Sequence, residues 1–114
     1  MEDFIEKRQH SRAEVRWPIK VDKGRKIIKG ETRDVAVDGI SICCDEPLMI
    51  DDVVNVSIEP QDQQPIEVYG KVVWSDVYGI DDTNKAYGIG ICFVQIAKDD
   101  RSRYHDLISI LFEQ

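Results

Sequence analysis

Residues 15–21 read VRWPIKV, a run in which every second side chain is apolar. That period is typical of a β-strand with one buried face, so four side chains are expected to face a core. They are Val15, Trp17, Ile19 and Val21. Similar β-prone runs follow at 27–37, 40–44, 53–59, 66–77 and 86–96. Five or six short strands at nearly regular spacing predict a mostly β protein, either a small antiparallel barrel or a sandwich.

Short segments of turn-forming residues separate these runs. One is the Lys-Gly-Arg sequence at 23–25, and others lie at 45–47, 60–65 and 79–85. Asp38-Gly39 stands between two β-prone runs, where this dipeptide is typical of a two-residue hairpin turn. The glycines of Tyr87-Gly88-Ile89-Gly90 lie within a strand-like run, so close packing of the backbone explains them better than phosphate binding.

The end of the chain changes to a helical period. Between residues 99 and 113 apolar side chains recur every three or four residues, which places them on one face of an amphipathic helix. They are Tyr104, Leu107, Ile108, Leu111 and Phe112. We expect Asp99 or Asp100 to cap the start of this helix and the apolar face to pack on the barrel, with docking to a partner protein as the alternative.

The length of 114 residues suits one domain with one hydrophobic core. No apolar stretch is long enough to cross a membrane, and the first residues are acidic, unlike a secretory signal. These features predict a cytoplasmic protein with no membrane insertion. The chain has three cysteines (Cys43, Cys44 and Cys92) and no C-x-x-C pair, so we expect reduced, buried thiols.

The charge is unevenly distributed along the chain. The formal net charge is −7, which disfavours a protein that coats DNA or RNA. Residues 1–33, however, contain ten lysines and arginines against six acids, whereas the remainder contains five against sixteen. A basic N-terminal third on an acidic body favours a small, compact anion as ligand, unless these cations only balance acids elsewhere in the fold.

Catalysis is not expected. The sequence lacks the common hydrolase, metalloprotease, P-loop and dinucleotide-binding motifs. Its two histidines, His10 and His105, are far apart, and neither has the spacing to a cysteine that a metal site requires. We therefore predict neither an enzyme nor a metal site.

Two segments carry residues suited to an anionic nucleotide. In the first, Lys7 precedes Arg8, and Arg12 follows four residues later. A guanidinium offers a planar fork of donors that matches phosphate oxygens or the guanine edge. In the second, the carboxylate of Asp34 could accept N–H donors from a base, and Gly39 would let a ligand approach the backbone closely.

Together these segments resemble the PilZ domain, a bacterial receptor module for cyclic di-GMP. Arg8 and Arg12 match its R-x-x-x-R motif, and Asp34 and Gly39 match the ends of its [D/N]-x-S-x-x-G motif. The resemblance continues through two later strands. Residues 70–74 (GKVVW) are similar to the family's G-x-V-x-W, and residues 87–93 (YGIGICF) are similar to its Y-G-[IV]-G-x-x-F.

The resemblance implies an antiparallel β-barrel of about six strands with a C-terminal α-helix, forming one domain over residues 1–114. Its parts would be a ligand-binding loop at 1–14, the barrel at 15–97 and the helix at 99–113. The implied ligand is cyclic di-GMP, with no cofactor. The expected ligand-binding residues are Lys7, Arg8, Arg12, Asp34, Ala36, Gly39 and Trp74. Ala36 replaces the family's serine, a change that predicts weakened binding, and Trp74 would stack on the ligand or wall the site.

The predicted function is a non-catalytic bacterial receptor that signals through contact with an unknown protein effector, as a monomer or homodimer. A degenerate PilZ-type adaptor that binds no nucleotide is the main alternative. A third hypothesis is a small barrel that binds single-stranded nucleic acid. It would need basic and aromatic residues interleaved on one sheet face, and the acidic balance after residue 33 disfavours it.

Overall fold

The computed structural model describes residues 12–79 and 85–113. Within them lie seven β-strands and one α-helix. The strands are β1 (Ala13–Glu14), β2 (Pro18–Asp22), β3 (Ile27–Ala36), β4 (Gly39–Cys44), β5 (Val53–Ile58), β6 (Ile66–Gly79) and β7 (Lys85–Ile96), and the helix is α1 (Lys98–Phe112). The predicted N-terminal loop therefore contains a short strand, and the helix begins one residue earlier than expected.

Antiparallel pairing closes the strands into a barrel. Their order is β1-β3-β2-β5-β6-β7-β4, and β4 pairs in turn with β3. Six strands form the closed barrel, while β1 continues the line of β2 along β3, where Ala13 lies opposite Val35. The predicted fold class, a small antiparallel barrel with a C-terminal helix, is confirmed.

Alternating side chains fill the barrel interior. Ile19 and Val21 are buried, as the first run predicted, while Val15 and Trp17 are partly buried against the same core. Val15 and Trp17 lie before β2, which begins at Pro18. The buried side chain of Thr32 bonds to their backbone. Its hydroxyl accepts the backbone N–H of Trp17 at 2.9 Å and donates to the carbonyl of Val15. The remaining buried apolar side chains include Ile28, Val35, Ile40, Ile42, Val54, Val56, Ile58, Ile66, Val68, Val72, Ile89 and Ile91.

The hairpin between β3 and β4 turns one residue earlier than predicted. Ala36 pairs with Gly39, so the two turn residues are Val37 and Asp38. Neither has the positive φ that an Asp-Gly turn would use. Gly39 is needed inside β4 instead, because a Cβ there would lie 2.4 Å from the carbonyl oxygen of Ile91 on β7.

The predicted cap of the helix is wrong. Ala97 is the N-cap residue and makes no side-chain cap bond, while Asp99 and Asp100 lie in the first turn, where negative charge suits the helix dipole. Asp100 instead accepts the backbone N–H of Glu67 on β6 at 3.3 Å and pairs with Arg103 at 2.6 Å. The bond to Glu67 attaches the start of the helix to the barrel.

The apolar face of the helix packs on the barrel, apart from its last member. Tyr104 and Ile108 are buried, and Leu107 and Leu111 are partly buried against the core. Phe112 is the last residue of the helix and is 41% exposed, contrary to the prediction. No helix among residues 12–79 and 85–113 has the length and apolar character needed to span a membrane.

The three cysteines are free, but they are not all buried. Cys44 is buried, which raises the pKa of its thiol, and its sulfur lies 3.1 Å from the carbonyl oxygen of Glu46. Cys43 is partly buried and Cys92 is exposed. The expectation of a buried thiol at Cys92 is wrong because strand alternation turns it outward between the inward-facing Ile91 and Phe93.

Tyr104 joins the helix to the β3–β4 hairpin. Its hydroxyl donates to the carbonyl of Ala36 at 2.6 Å and also lies 3.4 Å from that of Gly39, and its ring packs edge-on against Phe93. Burial raises the pKa of Tyr104 well above its usual value, so the folded protein keeps this hydroxyl protonated. Above about pH 10 only the unfolded chain loses this proton, and stability falls as pH rises further.

The variant Tyr104→Phe tests this contact. At pH 7 we expect a loss of about 1–3 kcal/mol in the free energy of unfolding, because the carbonyl of Ala36 loses a buried donor. Urea denaturation at pH 7, 10 and 11 should show that the difference in the free energy of unfolding between wild type and variant narrows as pH rises. Only the wild type has the Tyr104 hydroxyl, so only the wild type loses stability through it at high pH. A constant difference over this range would contradict the account.

Candidate functional site

One row of residues crosses the outer surface of the barrel. Asp34 on β3 lies opposite Ser41 on β4, Ser41 lies opposite Gly90 on β7, and Gly90 lies opposite Trp74 on β6. Cross-strand partners in a sheet point to the same face. A residue of the second predicted motif and residues from both later strands therefore meet on one surface.

Two irregularities in the strands place Asp34 and Trp74 on that surface. The register shifts between Thr32 and Asp34 on β3, and again between Val72 and Trp74 on β6. In a regular strand, residues two apart share a face, so Asp34 would follow the buried Thr32 inward. A β-bulge inserts one extra residue and reverses the facing of the residues after it, which turns Asp34 and Trp74 outward.

Arg12, Asp34 and Ser41 form a hydrogen-bonded cluster, which we call the clamp. Arg12 approaches Asp34 with both Nε and Nη2 at 2.7 Å from Oδ1, and Ser41 donates its hydroxyl to the same oxygen at 2.9 Å. Nη2 of Arg12 also lies 3.4 Å from the Ser41 hydroxyl oxygen. Within residues 12–79 and 85–113, the second carboxylate oxygen of Asp34 and Nη1 of Arg12 make no further hydrogen bond.

Aromatic rings cover the glycines of β7. A Cβ on Gly90 would lie 2.0 Å from the indole nitrogen of Trp74, and one on Gly88 would lie 2.5 Å from the ring of Tyr78. Both glycines are therefore explained by close packing, as predicted. The guanidinium of Arg33 lies 5.5 Å from the centre of the Tyr78 ring. Trp74 retains 39% of its accessible surface, so part of its ring faces solvent beside the clamp.

The remaining predicted site residues are not part of the clamp. Gly39 lies in the next row of the same surface, where it pairs with Cys92, and it is buried. Ala36 lies opposite Gly39 and has no accessible surface, so its side chain is not presented to solvent. Lys7 and Arg8 lie outside the described residues.

Sequence reasoning missed Ser41. The alternation of Ile40, Ser41 and Ile42 indicates that its side chain faces outward, but the pairing register is needed to place it beside Asp34. Arg33 and Tyr78 were also missed, because their contact joins two strands that are distant in the sequence.

A groove of about 230 Å³ lies between α1 and β7, next to the β3–β4 turn. Its lining includes Asp38, Val94, Arg101 and His105, a mixture of charges with no single sign. Among residues 12–79 and 85–113, no cluster of His, Cys, Asp and Glu is arranged to hold a metal ion.

The fold matches solved structures of known proteins at low sequence identity. The PilZ domain of YcgR from Escherichia coli, solved with c-di-GMP, has a TM-score of 0.75 at 9% identity over 93% of this chain and 92% of that one. The K. pneumonia MrkH–c-di-GMP complex has a TM-score of 0.76 at 18% identity over 93% of this chain and 53% of MrkH. The Bacillus subtilis inhibitor of motility MotI/DgrA has a TM-score of 0.67 at 15% identity over 93% of this chain and 49% of that one.

The chain thus spans about half the length of MrkH and MotI/DgrA. No curated protein sequence matches it. The model of the PilZ domain family matches residues 6–111, which is nearly the whole chain, and the neighbouring structures include a PilZ domain of almost equal extent. This chain belongs to the PilZ domain family.

Proposed function

We propose that the chain is a non-catalytic receptor for cyclic di-GMP, which binds on the outer surface of the barrel. The observation that carries the proposal is the clamp of Arg12, Asp34 and Ser41. Asp34 and Ser41 lie in one cross-strand row with Trp74, which is 39% exposed. The surface thus combines a cation, an acceptor for base N–H groups and an aromatic face. YcgR and MrkH, whose structures with c-di-GMP share this fold, support the choice of ligand.

In the proposed complex each group has a distinct role. Nη1 of Arg12 donates to phosphate or guanine oxygen, and Oδ2 of Asp34 accepts N–H donors of the base. The ring of Trp74 stacks on the ligand or walls the site. Lys7 and Arg8, from the basic N-terminal segment, add the remaining positive charge around a ligand with two phosphates.

Ala36 weakens this site without removing it. A neutral hydrogen bond contributes about 0.5–1.5 kcal/mol, whereas a bond to a charged group contributes about 1.5–3 kcal/mol. The charged donors and acceptors are retained, so the missing serine hydroxyl at position 36 costs at most about tenfold in affinity. We propose that binding occurs in a bacterial cytoplasm and is passed on by contact with a protein effector.

Ala36 also favours a second candidate, an adaptor that binds no nucleotide and acts only through protein contacts. Its side chain is fully buried, so this position offers a ligand neither a hydroxyl nor accessible surface. The intact clamp points the other way, because an adaptor has no need for an arginine and a carboxylate held together beside an aromatic ring.

Isothermal titration of the full chain with cyclic di-GMP separates the two candidates. A receptor gives saturable heat with a dissociation constant in the micromolar range or below, and GMP at the same concentrations gives much less. An adaptor gives no saturable heat with either nucleotide. Circular dichroism at the start of each titration establishes that the protein is folded.

A further inference from the structure

Ser41 is an almost completely buried hydroxyl within a surface cluster of charges. Only 6% of its surface is accessible, although both of its charged partners are substantially exposed. Its hydroxyl donates to Oδ1 of Asp34 and lies within hydrogen-bond distance of Nη2 of Arg12. The same oxygen thus acts as donor to the carboxylate and as acceptor for the guanidinium.

An exposed ion pair does not hold its own geometry well. Two long side chains lose conformational freedom when they pair in water, and such pairs contribute little and readily rearrange. A third group that is buried, sits on a rigid strand and bonds both partners restricts them to one arrangement. Ser41 meets these conditions because β4 is hydrogen-bonded to β3 on one side and to β7 on the other.

We propose that Ser41 is the positioning residue of the nucleotide site: it holds Oδ1 of Asp34 and Nη2 of Arg12, so that their other atoms face the ligand. This inference rests on the proposed function. It also accounts for a site without a hydroxyl at position 36, because Ser41 preorganises the charged groups that remain. Ser41 itself acts through Asp34 and Arg12 and makes no contact with the ligand.

The chain contains a matched control for this residue. Ser57 on β5 donates its hydroxyl to a carboxylate oxygen of Glu67 at 2.9 Å, and the two residues are cross-strand partners. The Ser57–Glu67 pair therefore has the same chemistry and the same distance as the pair of Ser41 and Asp34, but it lies on β5 and β6 outside the row. Ser57→Ala removes an equivalent bond outside the site.

Calorimetric titration of full-length variants with cyclic di-GMP tests the proposal. Ser41→Ala should weaken binding by about 3- to 10-fold, Ser41→Thr should stay within about 2-fold of wild type because it keeps the hydroxyl, and Ser57→Ala should leave the affinity unchanged. Unchanged affinity in Ser41→Ala would overturn the positioning role while leaving the receptor function intact. Absence of binding by folded wild-type protein would overturn both.

A double-mutant cycle distinguishes positioning from direct contact. In an Asp34→Ala background, titrated at concentrations that still reach half saturation, Ser41→Ala should cause a smaller further loss, because one of the two groups that it positions is gone. The same fold-loss in both backgrounds would show an independent contact with the ligand and would contradict the proposal. Thermal unfolding of each variant verifies that it is folded.

Discussion

Arg12→Ala is expected to weaken the binding of cyclic di-GMP by about 10- to 150-fold, the equivalent of one charge-assisted contact of about 1.5–3 kcal/mol. The variant removes a donor to the ligand. It also leaves Asp34 without the two N–H groups of this guanidinium that its Oδ1 accepts. Both effects reduce affinity. Stability should change little, because the ion pair is substantially exposed.

The control for Arg12 is Arg25→Ala. Arg25 is an exposed residue in the turn between β2 and β3, at the other end of β3 from Asp34. It carries the same charge, so any loss due only to the net charge of the protein would appear in both variants. Calorimetric titrations at matched ionic strength should give wild-type affinity for Arg25→Ala. Equal affinities for the Arg12 and Arg25 variants would remove Arg12 from the site.

Of the variants proposed, Gly39→Ala is expected to lower stability most, with a loss of about 2–4 kcal/mol in the free energy of unfolding. The new Cβ would lie 2.4 Å from the carbonyl oxygen of Ile91, so β4 and β7 must move apart at a point where they are hydrogen-bonded. The neighbouring Asp34–Ser41 pair belongs to the same sheet, and nucleotide affinity should fall with stability.

Gly24→Ala provides the comparison for this loss. Gly24 has a φ of 90° in the β2–β3 turn, and a Cβ there meets nothing within 4 Å. Only the backbone strain remains, at a cost of about 1–2 kcal/mol. Urea denaturation followed by circular dichroism should therefore rank Gly39→Ala as more destabilising. The reverse order would show that β4 and β7 separate more easily than the close contact implies.

The barrel could be predicted because its strands alternate in hydrophobicity. Inward residues such as Ile19 and Val21 mark one face of each strand, and turn-forming residues mark where the chain reverses. The exact turn was missed at Asp38-Gly39 because its local preference for a primed turn is weaker than the close contact between Gly39 and Ile91. That contact joins distant strands and leaves no local signal.

The site was only partly predictable for a related reason. The motifs identify Arg12, Asp34 and Trp74, but their common surface depends on two β-bulges that reverse the facing of Asp34 and Trp74. Alternation alone would place Asp34 on the same face as the buried Thr32. Ser41 could not be identified without the register that sets it opposite Asp34.

Nuclear magnetic resonance titration of ¹⁵N-labelled protein with cyclic di-GMP locates the bound ligand residue by residue. If cyclic di-GMP binds beside the clamp, the largest shifts are expected in the amides of Asp34, Ser41 and Gly90 and in the indole N–H of Trp74, with little change at the β2–β3 turn. Saturable shifts confined to the groove between α1 and β7, or no shifts at all, would contradict binding beside the clamp.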